Sequence, residues 1–211
     1  MMMIRFLRGN ASARITGWRV IRGDAGRGRA GKALAASALL GALAGLWAPP
    51  AQAALDVSLD AARATSADVR KLGVIVAIPQ QTPLWQGETL RLKLRHEFEL
   101  AAWHVPYASD LVEVGYSPVF RLEWPFAGGR SALYFDGSIG ARLLSHTYIS
   151  PTHRMSTAYQ FADMVGVGVR WGGEDIGSST LGVRFQHESN ADIKRPNPGI
   201  NFLQLLYTYR F

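Results

Sequence analysis

The feature that most constrains this chain is a strict alternation of charged and apolar residues. Between Leu90 and Leu100 the odd positions are charged and the even positions are apolar, with His96 as the exception. Successive side chains of a β-strand point to opposite faces, so this segment is predicted to be a strand with one polar and one apolar face. The same alternation returns in five later segments: residues 112–124, 133–143, 165–171, 181–186 and 203–211.

Weaker alternation at residues 55–62 and 69–78 brings the number of predicted strands to eight. The sequence therefore predicts an all-β fold, an eight-stranded antiparallel up-and-down transmembrane β-barrel. A soluble lipocalin-like barrel also alternates, but it buries its apolar face and exposes its charges. Aromatic residues at the edges of the apolar faces favour the membrane barrel, as does Phe211 at the end of the last strand. This predicted girdle consists of Trp103, Trp124, Trp171, Tyr207 and Tyr209.

The first 53 residues have the pattern of a cleaved signal peptide. A basic segment leads into an apolar run at residues 33–46, which is too short to span a membrane, and then into Ala51-Gln-Ala53. The predicted organisation is a signal peptide at 1–53 and a barrel at 54–211. Residues 1–53 hold eight basic and one acidic residue, which accounts for the net charge of +7. The neutral remainder gives no support for nucleic-acid binding, and the lack of cysteine excludes a Cys-ligated metal.

An exported barrel of this size is predicted to lie in the bacterial outer membrane, in contact with its lipid. Eight strands leave an interior just wide enough for side chains, which excludes a porin. The charges on the inward faces are expected to pair into a plug: Arg91, Lys93, Arg95, Glu97, Glu99, Glu113, Arg121 and Glu123. Eight antiparallel strands put both termini of the barrel's chain on the same side, the periplasm, so the loop at 190–200 is predicted to be extracellular.

Three polar residues interrupt the apolar face at this extracellular end. The outward register of residues 181–185 continues to His187 and Ser189, and counting back in steps of two from Phe211 puts Asn201 on the same face. An imidazole that takes the proton of a serine hydroxyl, held by a third polar group, is the arrangement of a serine esterase. Strand ends at a membrane interface also carry polar residues without catalysis. The spacing alone leaves both interpretations open.

The segment at 185–199 contains His187-Glu-Ser-Asn-Ala191 and Asn197-Pro-Gly199, and a strand ending in Phe211 follows it. This hairpin closely resembles the C-terminal hairpin of the lipid A 3-O-deacylase family. The resemblance implies an outer-membrane serine esterase that removes the acyl chain at position 3 of lipid A without a cofactor. It also implies roles for four residues: a base at His187, a nucleophile at Ser189, an oxyanion or positioning residue at Asn190 and a loop-shaping residue at Asn197.

The chain departs from the family pattern at Asn201, where the family has a glutamate. An asparagine can orient an imidazole by hydrogen bonding, but it cannot stabilise the charged ring, and Asp192 in the loop is the alternative orienting residue. Lys194 and Arg195 are either phosphate contacts for lipid A or ordinary solvated charges. The rival function is a non-catalytic small barrel, such as a structural protein or an adhesin. The sequence leaves open whether the protein forms a homodimer.

Overall fold

The structure is a computed structural model that describes residues 54–211. The predicted signal peptide at 1–53 lies outside these residues. Among residues 54–211, no helix is long and apolar enough to cross a membrane. Eleven strands are formed: β1 (Asp56–Ala64), β2 (Arg70–Pro79), β3 (Trp85–Gln86), β4 (Arg91–His104), β5 (Leu111–Phe126), β6 (Ser131–Leu144), β7 (Tyr148–Ser150), β8 (His153–Arg154), β9 (Tyr159–Trp171), β10 (Ser179–Ser189) and β11 (Ile200–Arg210).

Eight of these strands form a closed antiparallel barrel in up-and-down order. Each pairs with the next long strand along the chain, and β1 pairs with β11 from Asp56↔Arg210 to Ala64↔Phe202 to close the wall. The short β3 extends the edge of β4, while β7 and β8 form a hairpin within the connection from β6 to β9. The predicted eight-stranded barrel is confirmed. We call the end at residues 56 and 210 the lower end, and the end at connections 65–69, 105–110, 145–158 and 190–199 the upper end.

The outer wall is apolar and the interior is polar, as a membrane barrel requires. On β10 the side chains of Leu181, Val183 and Phe185 are each more than 40% exposed, whereas Arg184 between them is 3% exposed. The same alternation runs around the barrel on β5, β6 and β9. A soluble barrel has the opposite polarity, so the lipocalin-like alternative is wrong.

Ion pairs fill the interior from the lower end to beneath the upper end. Arg121 donates two hydrogen bonds of 2.8 Å to Asp136, and Lys71 lies 2.9 Å from Glu99. All eight inward charges predicted from the sequence take part in this network, which confirms the predicted plug. These pairs compensate charges that burial would otherwise make very costly.

An apolar cluster closes the interior at the upper end. Trp103 is fully buried there, with its ring 4.7 Å from that of Phe202, so its predicted place in the exposed girdle is wrong. Trp103 follows the inward register of β4, and the connection at 145–158 covers it with Ile149 and Met155. The other predicted girdle residues, Trp124, Trp171, Tyr207 and Tyr209, lie outward near the lower end.

Candidate active site

The upper ends of β10 and β11 present three polar side chains on the outer wall. His187 lies directly opposite Asn201 in the antiparallel register, and Ser189 is the last residue of β10. All three are half-buried, whereas the alternate residues Gln186 and Glu188 are fully buried in the interior. Because the outward register of Phe185 continues without a bulge, the wall places all three polar groups on its outer face.

A hydrogen bond of 2.6 Å joins Nδ1 of His187 to Oδ1 of Asn201. An amide oxygen only accepts, so Nδ1 carries the proton and donates it. The lone pair of the neutral ring is then on Nε2, which is the nitrogen able to accept a proton. No hydrogen bond joins Ser189 to the imidazole within residues 54–211. The two residues lie two apart on one strand face, a separation of roughly 6.6 Å between Cα atoms.

Gly199 supports the imidazole from the loop side. Its φ is +59°, a left-handed conformation that favours glycine, and a Cβ built on it would lie 2.7 Å from Cε1 of His187. A larger residue would collide with the ring. The close approach of backbone to ring therefore fixes the position of the imidazole above the loop.

The loop from β10 to β11 is held by Asn190. Its Nδ2 donates to Oγ of Ser156 and to the backbone oxygen of Lys194, both at 2.8 Å, and its side chain is buried. The backbone N–H of Asn190 donates to Oδ1 of Asn197 at 3.1 Å. Asn190 thus braces this loop against the neighbouring connection. The bond to Oδ1 leaves Nδ2 of Asn197 as a donor for another group.

The remaining site residues from the sequence lie in the exposed part of the loop. Asp192 forms an ion pair with Arg195 at 3.2 Å, and both side chains are more than half exposed. Asp192 is therefore engaged away from the imidazole, which instead contacts Asn201. The side chain of Lys194 is exposed, and its backbone oxygen accepts a hydrogen bond from Nδ2 of Asn190.

One acidic residue of this surface was missed by the sequence reasoning. Asp163 on β9 lies directly opposite His187 on its other side, and it is exposed on the outer wall. The apolar register of Val165 and Val167 extends back to Asp163, so the signal was a carboxylate in a lipid-facing position. The site therefore has an amide on one side of the imidazole and a carboxylate on the other.

This set of groups is suited to acid–base and nucleophilic chemistry. A hydroxyl (Ser189), an imidazole with Nδ1 hydrogen-bonded (His187) and an amide (Asn201) lie on the outer face where the apolar wall meets the upper connections. Among the side chains of residues 54–211, no group of three or more His, Asp and Glu could hold a metal ion.

Comparison with known proteins identifies the family. The profile of the family described as Lipid A 3-O-deacylase (PagL) matches residues 70–210. Lipid A deacylase PagL of Bordetella bronchiseptica is 35% identical over 150 residues, which cover 64% of this chain and 75% of that protein. Lipid A deacylase PagL of Pseudomonas aeruginosa is 28% identical over 177 residues, which cover 83% of this chain and 97% of that protein.

The fold has a counterpart among solved structures. The crystal structure of the outer membrane enzyme PagL matches with a TM-score of 0.64 at 24% identity, over 73% of this chain and 98% of that one. The matched family region includes β10 and β11, with the hydrogen-bonded pair at their upper ends. This outer-membrane β-barrel therefore belongs to the lipid A 3-O-deacylase (PagL) family.

Proposed function

We propose that this protein is a serine esterase that hydrolyses the 3-O-linked acyl ester of lipid A. The observation that carries the proposal is the hydrogen-bonded pair of His187 and Asn201, which stands beside Ser189 on an apolar wall. A purely structural barrel gains nothing from placing an oriented imidazole on its lipid face. Membership of the deacylase family supplies the substrate class.

In the proposed reaction Ser189 is the nucleophile and His187 is the base. Oγ of Ser189 attacks the ester carbonyl while Nε2 of His187 takes the hydroxyl proton. The tetrahedral intermediate collapses when the imidazolium gives that proton to the leaving 3-oxygen of the sugar, and the acyl chain stays on Ser189. A water molecule, deprotonated by the same nitrogen, then attacks the acyl-enzyme. It releases the fatty acid and restores the serine.

In this proposal, the hydrogen bond between Ser189 and His187 forms when the substrate is bound. Catalytic hydrogen bonds are often long in free enzymes and shorten when substrate is bound. Asn201 keeps Nδ1 occupied, so the free nitrogen Nε2 is the one available to the hydroxyl. Asn201 is therefore a positioning residue, and it holds the ring without adding charge.

Asn197 is proposed to stabilise the developing oxyanion through Nδ2. The backbone N–H of Asn190 donates a hydrogen bond to Oδ1 of Asn197 and so holds this amide. Nδ2, the other polar atom of the amide, then points away from Asn190. The family resemblance implied the oxyanion or positioning role for Asn190 and a loop-shaping role for Asn197. The contacts of Asn190 with Ser156 and Lys194 favour the exchange of these two roles.

The proposed site lies at the outer leaflet. In an exported barrel with both chain termini at the periplasm, the lower end faces the periplasm and the upper connections face the cell exterior. His187, Ser189 and Asn201 lie at the border between these connections and the exposed apolar wall. Lipid A of the outer leaflet can then reach the site by lateral diffusion.

Mass spectrometry of lipid A tests the proposal directly. Cells that express the protein should lose one 3-hydroxyacyl group from lipid A, and Ser189→Ala should abolish this loss. The matched control is Ser179→Ala, at the lower end of the same strand, where Ser179 lies 3.2 Å from the Tyr207 hydroxyl. Heat-modifiable gel mobility confirms assembly of each variant. An unchanged spectrum with assembled native protein would instead support the non-catalytic barrel.

A further inference from the structure

A groove of about 680 Å³ runs along the outer wall across β10, β11, β1, β2 and β4. Its floor consists of small and aliphatic side chains, including Ala61, Leu72 and Ala102. Its upper rim carries Arg63 and Arg70, both exposed, together with His104 and Asp110, which contact each other at 3.0 Å. A groove that is apolar below and cationic above fits a lipid whose head group bears negative charge.

The two arginines lie directly opposite each other in the pairing of β1 with β2. Like charges in this position repel each other and destabilise a sheet. Arg63 has one compensating contact, an exposed pair with Asp68 at 3.8 Å, which is too long and too solvated to contribute much. Arg70 has no carboxylate within 4.0 Å in the described barrel and its connections. Asp110, the carboxylate that lines the groove, is held by His104 at 3.0 Å, so the two arginines retain positive charge that can attract an anion.

The rim lies close to the proposed active site. Arg63 is directly opposite Leu203 on β11, and Leu203 is two residues from Asn201 on the same outer face. Strand spacing and rise place the Cα atoms of Arg63 and His187 roughly 12 Å apart. Long arginine side chains can span much of that distance. One sugar head group can thus present an ester at His187 and a phosphate at the rim.

We infer that Arg63 and Arg70 bind a phosphate group of the lipid A molecule whose ester is cleaved at Ser189. This inference rests on the proposed function and names the group that holds the head of the substrate. Guanidinium groups form paired, charge-assisted hydrogen bonds with phosphate. The phosphate also relieves the repulsion between the two arginines, which the exposed contact of Arg63 with Asp68 compensates only weakly.

The loop pair Lys194 and Arg195 is the competing phosphate site. Arg195 already contacts Asp192 at 3.2 Å, and both of these side chains lie on an exposed loop. Arg63 and Arg70 instead belong to paired strands of the wall, and they border a groove. A site on paired strands loses less conformational entropy on binding, so the arginine pair is the better candidate.

The test measures binding and cleavage of two lipids in neutral detergent, where the added lipid is the only source of phosphate. The lipids are lipid A with both phosphates and fully dephosphorylated lipid A. Dissociation constants are measured by titration calorimetry in the Ser189→Ala background, which separates binding from hydrolysis. The variants are Arg63→Gln/Arg70→Gln and Lys194→Gln/Arg195→Gln. The matched control is Arg130→Gln, an exposed arginine of the lower turn.

The arginine double variant should raise Kd for phosphorylated lipid A about 10-fold or more, and leave Kd for the dephosphorylated lipid unchanged. In protein with native Ser189, the same variant should raise KM for the phosphorylated lipid with little effect on kcat. Equal weakening for both lipids, or no weakening, overturns the inference. A phosphate-dependent loss confined to the Lys194/Arg195 variant assigns the site to the loop and also overturns it. If the native protein binds phosphorylated lipid A through the arginines but does not cleave it, the result contradicts the proposed esterase activity and leaves the phosphate site standing.

Discussion

Replacement of Asn201 by aspartate tests how the imidazole is held. The two side chains have the same shape, so the introduced carboxylate would keep the 2.6 Å contact to Nδ1 of His187 and add a negative charge. Two unit charges about 4 Å apart interact by about 4 kcal/mol at an effective dielectric of about 20. Asn201 is half-buried, and solvent reduces this to about 1–2 kcal/mol, which corresponds to a rate increase of about 5- to 30-fold.

The assay is the initial deacylation rate on detergent-solubilised lipid A, with heat-modifiable mobility as the folding control. We expect Asn201→Asp to raise kcat and Asn201→Glu to keep or raise it. Asn201→Ala should lose about 10²-fold because the ring is no longer oriented. Asp192→Ala should have little effect. A wild-type rate for Asn201→Ala together with a collapse for Asp192→Ala would refute the reasoning and identify the loop carboxylate as the orienting group.

Three further changes probe other parts of the structure. Gly199→Ala should lower kcat about 10-fold or more by displacing the His187 ring. The control is Gly128→Ala, which is also at positive φ but has open space around it and should leave deacylation rates unchanged. Asn197→Ala should lower kcat about 10²-fold or more with little change in KM, because the variant loses an oxyanion donor. A rise of about 10²-fold in Kd for uncleaved lipid, measured by calorimetry, would contradict this role. Lys71→Met should destabilise the barrel by about 3–5 kcal/mol in denaturant unfolding, because the carboxylates around this buried ammonium lose their counter-charge. Partial rescue by Glu99→Gln should follow, and its absence would count against a charge effect.

The strands and their register could be predicted because membrane barrels alternate with a period of two. The outward positions of His187, Ser189 and Asn201 followed from this count alone, since no bulge interrupts β10 or β11. The hypothesis that Asn201 orients His187 followed from their shared outward face on neighbouring strands. Their direct pairing did not, because a slip of the strand register by two residues would change the partner of His187 without altering either face.

Other features depend on contacts between distant parts of the chain. Trp103 lies on the inward face that the alternation of β4 predicts, but that alternation does not reveal the connection at 145–158, which covers Trp103 with apolar residues at the upper end. The brace on Asn190 comes from Ser156 in the same connection, so its function could not be inferred from the local motif. Asp163 and the arginine pair needed the pairing of the whole barrel, although each lies in a predicted strand.

The outward position of His187, Ser189 and Asn201 has a consequence for kinetics. The proposed site on this outer wall would meet lipid A within the plane of the membrane, without extraction of the lipid into water. The relevant concentration is then the mole fraction of lipid A in the leaflet, and dilution with inert lipid or detergent should slow the reaction even when the bulk concentration is constant. Encounters become two-dimensional, so lateral diffusion of the lipid and the packing of its neighbours set the upper limit on turnover.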